Sequence, residues 1–303
     1  MNIINSISEF HRHLSLPDPL HPLVSVISAS GIKAIESQIW EHFFVNFYIV
    51  SLKKDVLKKM RYGQQYYDFD KGAMSFFAPK QVQSFSTKDI LQMNVEPGEG
   101  YMLMFHPDFL YKHPLQTTIK NYGFFSYSVN EALHLSEQEE KNSIEIFQKI
   151  EKEYQHIDRH TQDIILSQID LLLNYSNRFY ERQFITRKAV NSDLLGQMEG
   201  LLNGYFEKEE TINRGLPTVE HLAGQLNVSP RYLSDMLRSL TGQNAQQHIQ
   251  DKLIEKAKEY LGGTNLSVSE IAYQLGFEHS QSFNKFFKRK TNLTPIAYKR
   301  SFE

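Results

Sequence analysis

The side chains whose types and spacing could do chemistry cluster near the end of the chain, and they suggest recognition of a polyanion rather than catalysis. His279, Ser280, Gln281, Asn284 and Lys285 fall on one face of a helix running from about Glu278 to Lys290, because Phe283, Phe286 and Phe287 take the other. A glutamine so placed can pair bidentately with adenine, and a lysine can donate to guanine. Lys288, Arg289 and Lys290 follow a turn or more later, then Lys299 and Arg300, with Glu303 the one acid after His279. Such a cluster is the footprint of a phosphate-binding surface. A solvated helix face has the same composition, and charge alone leaves both open. Upstream, Arg231, Ser234, Asp235 and Arg238 form a second polar set, opposite the apolar face Leu233, Met236, Leu237 and Leu240.

Catalysis finds little to work with. There are no cysteines, which removes disulfides, thiolate metal sites and thiol nucleophiles and fits a reducing compartment. No HExxH, GxSxG or Walker sequence occurs. Of the 12 histidines, His11 and His13 flank Arg12 with no third ligand spaced with them, and His106-Pro107-Asp108 reads as a strand-end turn. We expect no catalytic residue, no metal and no cofactor. The balance of 33 Lys and Arg against 35 Asp and Glu gives a net charge of −2, so distribution informs more than the total. Met1 leads into no basic start and apolar run, and no stretch approaches the roughly 18 apolar residues of a membrane span. The chain reads as soluble, cytoplasmic and without a membrane partner.

The elements that must position these residues show an internal repeat. VEHLAGQLNV (219–228) aligns with VSEIAYQLGF (268–277). Leu222 matches Ile271, Ala223 matches Ala272, Gln225 matches Gln274 and Leu226 matches Leu275. With one residue inserted, Leu233 matches Phe283, Leu237 matches Phe287 and Arg238 matches Lys288. Each copy has the pattern of a helix-turn-helix. Alanine sits where a second helix crosses closely, and Asn227 or Gly276 sits where the turn needs positive φ. Ser229-Pro230 opens the second helix of the first copy, and Ser267 with Glu270 forms a capping box for the second copy. The units span about 218–240 and 267–290. Between them, 244–261 reads as a linker helix with the stripe Ile249, Leu253, Ala257 and Tyr260, stopped by Gly262-Gly263.

Earlier regions differ in texture. LVSVIS (23–28), FFVNFYIV (43–50), AMSFFAP (73–79) and YMLMF (101–105) are short apolar runs between turn residues, the spacing of a sandwich or barrel. Tyr62, Tyr66 and Phe76, among other aromatics, could line a pocket or simply fill a core. Ser136 and Glu139 form a capping box, after which Ile144, Phe147, Ile150 and Tyr154 recur at helical spacing, followed by Ile165, Ile169, Leu172 and Phe179. These stripes could cover the strands or pair two subunits. Asn191–Phe206 reads as helical, and 207–217 as a polar break.

From Ala272, Gly276-Phe277, Phe283, Phe287-Lys288, Thr294-Pro295 and Tyr298, the chain resembles the AraC/XylS family of transcription regulators over roughly 190–303. Asn292 and Lys299 stand where that family usually has glycine and arginine, and Asp235 where a basic residue is frequent. More weakly, residues 20–130 resemble the cupin-like sensor domain found ahead of many such domains, without metal-binding histidines after Pro79. The resemblance implies an α+β chain: a cupin-like β-barrel with flanking helices over 1–185 for effector binding and dimerisation, and an all-α DNA-binding domain over 190–303. It implies a sequence-specific regulator, an activator answering a small-molecule effector, with double-stranded DNA, a second copy and RNA polymerase as partners. Two alternatives remain: a cupin-type enzyme with a DNA-binding tail, and a ligand-independent DNA-binding scaffold. DNA-repair methyltransferases with such a tail need a cysteine nucleophile and are excluded.

Overall fold

The computed structural model describes residues 1–32, 38–54, 72–85, 99–207 and 210–302. The chain divides into two units, Met1–Gln183 and Phe184–Glu303.

In the first unit the apolar runs become strands, as their aromatic and β-branched content favours. β1 (Asn2–Ile4) leads through helix α1 (Ile7–His13) to β2 (Val24–Ser28). The run 43–50 breaks after Val45 into β3 (Phe43–Val45) and β4 (Tyr48–Lys54), followed by β5 (Gly72–Phe77), β6 (Gly100–Phe105) and β7 (Leu133–Leu135). β1 pairs in parallel with β3, and the other five form an antiparallel sheet of order β2-β6-β4-β5-β7. Among the described residues these two sheets do not close into the expected barrel. Register sets Val50 opposite both Phe76 and Leu103, a buried row across three strands. Trp40, Phe43, Phe47 and Phe10 make a second apolar centre around α1, each contributing about 2–3 kcal/mol of burial. α1 is pinned to β2 by His11, whose Nδ1 donates to the Pro17 carbonyl at 2.6 Å while its Nε2 lies 2.9 Å from the Ser25 hydroxyl.

A short helix, α2 (Leu115–Thr118), precedes α3 (Glu137–Tyr154) and α4 (Thr161–Thr186). The Ser136–Glu139 capping box forms. The two apolar stripes are buried within their own unit. Phe147, Ile150, Tyr154, Ile165, Ile169, Leu172 and Phe179 are all buried; Ile144 is only half-buried, and Ile146 takes its place. α3 packs on β2 and β6. Tyr180 of α4 packs on Phe76 and donates to the Glu131 carbonyl at 3.1 Å. Arg182 is held by Glu139 and the His134 carbonyl, which ties α4 to the capping box.

Among the described residues, the regular elements of the second unit are all helices. It holds α5 (Lys188–Glu207), α6 (Glu210–Arg214), α7 (Val219–Gln225), α8 (Pro230–Thr241), α9 (Ala245–Gly263), α10 (Val268–Gln274), α11 (Ser280–Thr291) and α12 (Pro295–Arg300). The polar break thus contains a helical turn, α6, which buries Thr211 and donates from its hydroxyl to the Gln274 carbonyl at 2.6 Å. The linker helix α9 also departs from expectation. It runs through Gly262 and Gly263 and ends at Thr264, whose N–H and hydroxyl both reach the Tyr260 carbonyl. A glycine stops a helix when it turns left-handed, and neither of these has positive φ. Leu261, not Tyr260, completes the buried stripe.

Candidate nucleic-acid interface

The two helix-turn-helix units repeat in their hydrogen bonds as well as their residues. In the first, Val228 N–H donates to the Ala223 carbonyl at 3.0 Å and Asn227 N–H to Gly224 at 3.2 Å; in the second, Phe277 donates to Ala272 at 3.0 Å and Gly276 to Tyr273 at 3.0 Å. Both turns are therefore Schellman motifs, which need a left-handed residue just after the helix. Asn227 at φ 55° and Gly276 at φ 91° supply it. Ala223 and Ala272 are fully buried beneath the second helices. Leu233, Met236 and Leu237 hold α8 down, and Phe283 with Phe287 hold α11. Phe286 lies only half-buried on Phe277, with the Arg289 guanidinium over its ring at 6.0 Å.

Capping fixes where each helix begins. Ser229 caps α8 through the Tyr232 N–H, and Ser267 with Glu270 boxes α10. The hydroxyl and N–H of Ser267 hold the Glu270 carboxylate below its ordinary range, with help from Lys299. Asn244 and Gln247 form a further box at the start of α9, which the sequence reading missed although Asn-x-x-Gln is its signature. α9 packs against α7 and α8 of the first helix-turn-helix and against α10 and α12.

The faces left over carry the candidate residues. His279, Gln281, Asn284, Lys285, Lys288, Arg289 and Arg300 are exposed, and Ser280 is half-exposed at the first position of α11. Lys290 reaches back to Asp251 at 3.6 Å. On α8, Arg231 and Arg238 are exposed with Ser234 and Asp235 half-exposed between them. Asp235 accepts from Arg231 Nε at 2.8 Å and lies 3.6 Å from Arg238 Nη1. Lys299 is turned inward, contrary to its expected role on phosphate. Its ammonium donates to the carbonyls of Leu266 at 2.7 Å and Thr264 at 3.3 Å. Those carbonyls follow the end of α9, where the helix dipole favours a cation.

The aromatic candidates in the first unit separate. Phe76 is core, in ring contact with Phe124, Phe125 and Tyr180. Tyr62 and Tyr66 lie outside the described residues. Among the described residues no group of three His, Asp or Glu side chains is placed to hold a metal, and no helix is long and apolar enough to cross a membrane.

A family described as a helix-turn-helix domain matches residues 222–301, which include the second helix of the first helix-turn-helix and all of the second helix-turn-helix. Residues 222–301 form an AraC-type helix-turn-helix domain. The AraC-type region is 36% identical over 84 residues to an uncharacterized HTH-type transcriptional regulator in the cgkA 5′ region of Pseudoalteromonas carrageenovora, covering 28% of this chain and 49% of that one. It is 30% identical over 135 residues to the HTH-type transcriptional activator RhaS of Salmonella paratyphi B, covering 44% of each. Among solved structures it is similar to the C-terminal domain of the two-component response regulator yesN from Fusobacterium nucleatum, at 34% identity over 33% of this chain and 96% of that one, with a TM-score of 0.30. The AraC-type match spans less than half the length of these curated relatives.

Proposed function

We propose that this protein is a sequence-specific DNA-binding transcription regulator, an activator, whose α8 and α11 enter successive major-groove segments. The repeated unit carries the reading: the same turn, alanine and buried positions occur twice, each leaving a polar face at the start of the second helix. The linker helix has 19 residues, about 28 Å at ~1.5 Å per residue. That is close to the roughly 34 Å between groove segments on one side of the duplex. In this reading His279, Ser280, Gln281, Asn284 and Lys285 meet base edges, and Lys288, Arg289 and Arg300 meet phosphates. Arg231, Ser234, Asp235 and Arg238 serve the first half-site. The activator among its relatives favours activation, through contact with RNA polymerase.

The N-terminal region, 1–185, is the effector-binding and dimerising part in this proposal, and 190–303 the DNA-binding part. Support for self-association moves from the buried stripes to Ile164 and Leu171, which are seven residues apart on α4 and 43% and 40% exposed. The test is to sequence genomic DNA retained by the purified full chain, then to transcribe from the recovered promoters with RNA polymerase. A shared two-part motif and a raised transcript level are expected. Recovery of random DNA, or unchanged transcription, overturns the reading.

A further inference from the structure

We propose that Asp235 is a positioning residue that sets specificity by holding Arg231 to read a guanine in the first half-site. The proposal rests on the DNA-binding reading above. Arg231 is the second residue of α8, after Pro230, at the end of a recognition helix that reaches base edges. Its side chain is 45% exposed, and its Nε donates to Asp235 Oδ2 at 2.8 Å. A guanidinium is planar, so a bond to its Nε edge fixes the plane and leaves the two Nη groups as the end of the fork. That end matches O6 and N7 of guanine. Asp235 itself is 18% exposed and is braced from the next turn by Arg238.

The contrast with α11 makes the carboxylate informative. Among the described residues, Lys285, Lys288 and Arg289 have no acid within ion-pair distance; only Lys290 does, through Asp251. α11 therefore offers phosphate a net cationic face. α8 pairs both its arginines with one carboxylate, which weakens its attraction for phosphate of any sequence. An exposed ion pair adds little to stability. Its effect falls on orientation and on selectivity, because it suppresses sequence-independent binding and fixes one donor pair.

The experiment is selection from randomised duplex DNA by the full chain, for the wild type, Arg231→Ala, Arg231→Lys and Asp235→Asn, with affinity for random duplex measured alongside. The wild type is expected to fix a guanine in one half-site. Arg231→Ala abolishes that preference, and Arg231→Lys weakens it because lysine has no fork. Asp235→Asn removes a negative charge without changing shape. It should bind random duplex at least as tightly while its guanine preference falls by about fivefold or more, the lower end of what one bidentate base contact supplies. An Asp235→Asn profile with the guanine intact overturns the proposal. So does loss of a cytosine in Asp235→Asn that Arg231→Ala retains, because the carboxylate would then read the base directly. A wild-type motif indifferent to Arg231→Ala overturns this proposal alone. A wild type that selects nothing overturns the DNA-binding reading as well.

Discussion

Gly276 lies directly against Gly215: a Cβ on Gly276 would stand 2.7 Å from the Gly215 carbonyl carbon and 2.9 Å from its oxygen. The turn of the second helix-turn-helix unit thus packs on backbone that follows α6. Tyr205 braces the same spot by donating to the Gly215 carbonyl at 3.1 Å, and Thr211 by donating to Gln274. Gly276→Ala should cost about 2–4 kcal/mol, because positive φ and a clash with fixed backbone act together. Asn227→Gly, at the equivalent turn, should change stability by under about 1 kcal/mol. Urea denaturation of both variants checks this; equal losses would remove Gly215 from the explanation.

Lys299 distinguishes a structural cation from a phosphate-binding one. With its ammonium on the carbonyls of Thr264 and Leu266, Lys299→Met should lose about 1–2 kcal/mol of stability. The salt dependence of DNA binding should stay as in the wild type. A slope reduced by about one, with stability unchanged, would return Lys299 to the phosphates.

Gln281 and Lys288 should divide in the opposite sense. Gln281→Ala should cost roughly 1–3 kcal/mol on the specific site and relax one position of its preference. Lys288→Ala should weaken binding to all sequences and lower the salt slope by about one. Salt titrations on specific and scrambled duplex measure both. Equal losses for Gln281→Ala on the two duplexes, or a site-specific loss for Lys288→Ala, would reverse the roles.

His11 makes the first unit sensitive to acid. Burial pushes its pKa below the usual 6.5, only partly offset by the Pro17 carbonyl and the Asp18 charge. Between the folded and unfolded values the unfolded chain holds more protons, so stability falls as pH drops below about 6.5 and is fully present above it. His11→Gln should be less stable at neutral pH and should lose part of this acid slope. His21, also lowered by burial, keeps the rest. Denaturation midpoints from pH 5 to 7.5 give the comparison, and a variant with the wild-type slope would exclude His11 as a source.

The sequence by itself determined what local chemistry controls. The repeat, both left-handed turns, the Ser136 and Ser267 capping boxes, the Ser229-Pro230 start and the apolar faces of α8 and α11 all depend on neighbours within one or two turns, so residue type and spacing specify them. Tertiary structure decided whatever depends on a distant partner. The stripes of α3 and α4 fit a sheet or a second subunit equally well by period, and only packing shows that α3 lies on the sheet and that the apolar residues of both helices are buried within the chain. Gly262-Gly263 reads as a stop, yet α9 continues to Thr264, since glycine permits a left-handed turn without requiring one. Lys299 carries the same charge whether it meets phosphate or its own backbone, and only the folded chain brings it to the carbonyls after α9. Asp235 and Arg231 are four apart on one helix, and their pairing was open to a sequence reading. What the fold added is the orientation: a carboxylate on the Nε edge, with the fork's end left to donate elsewhere.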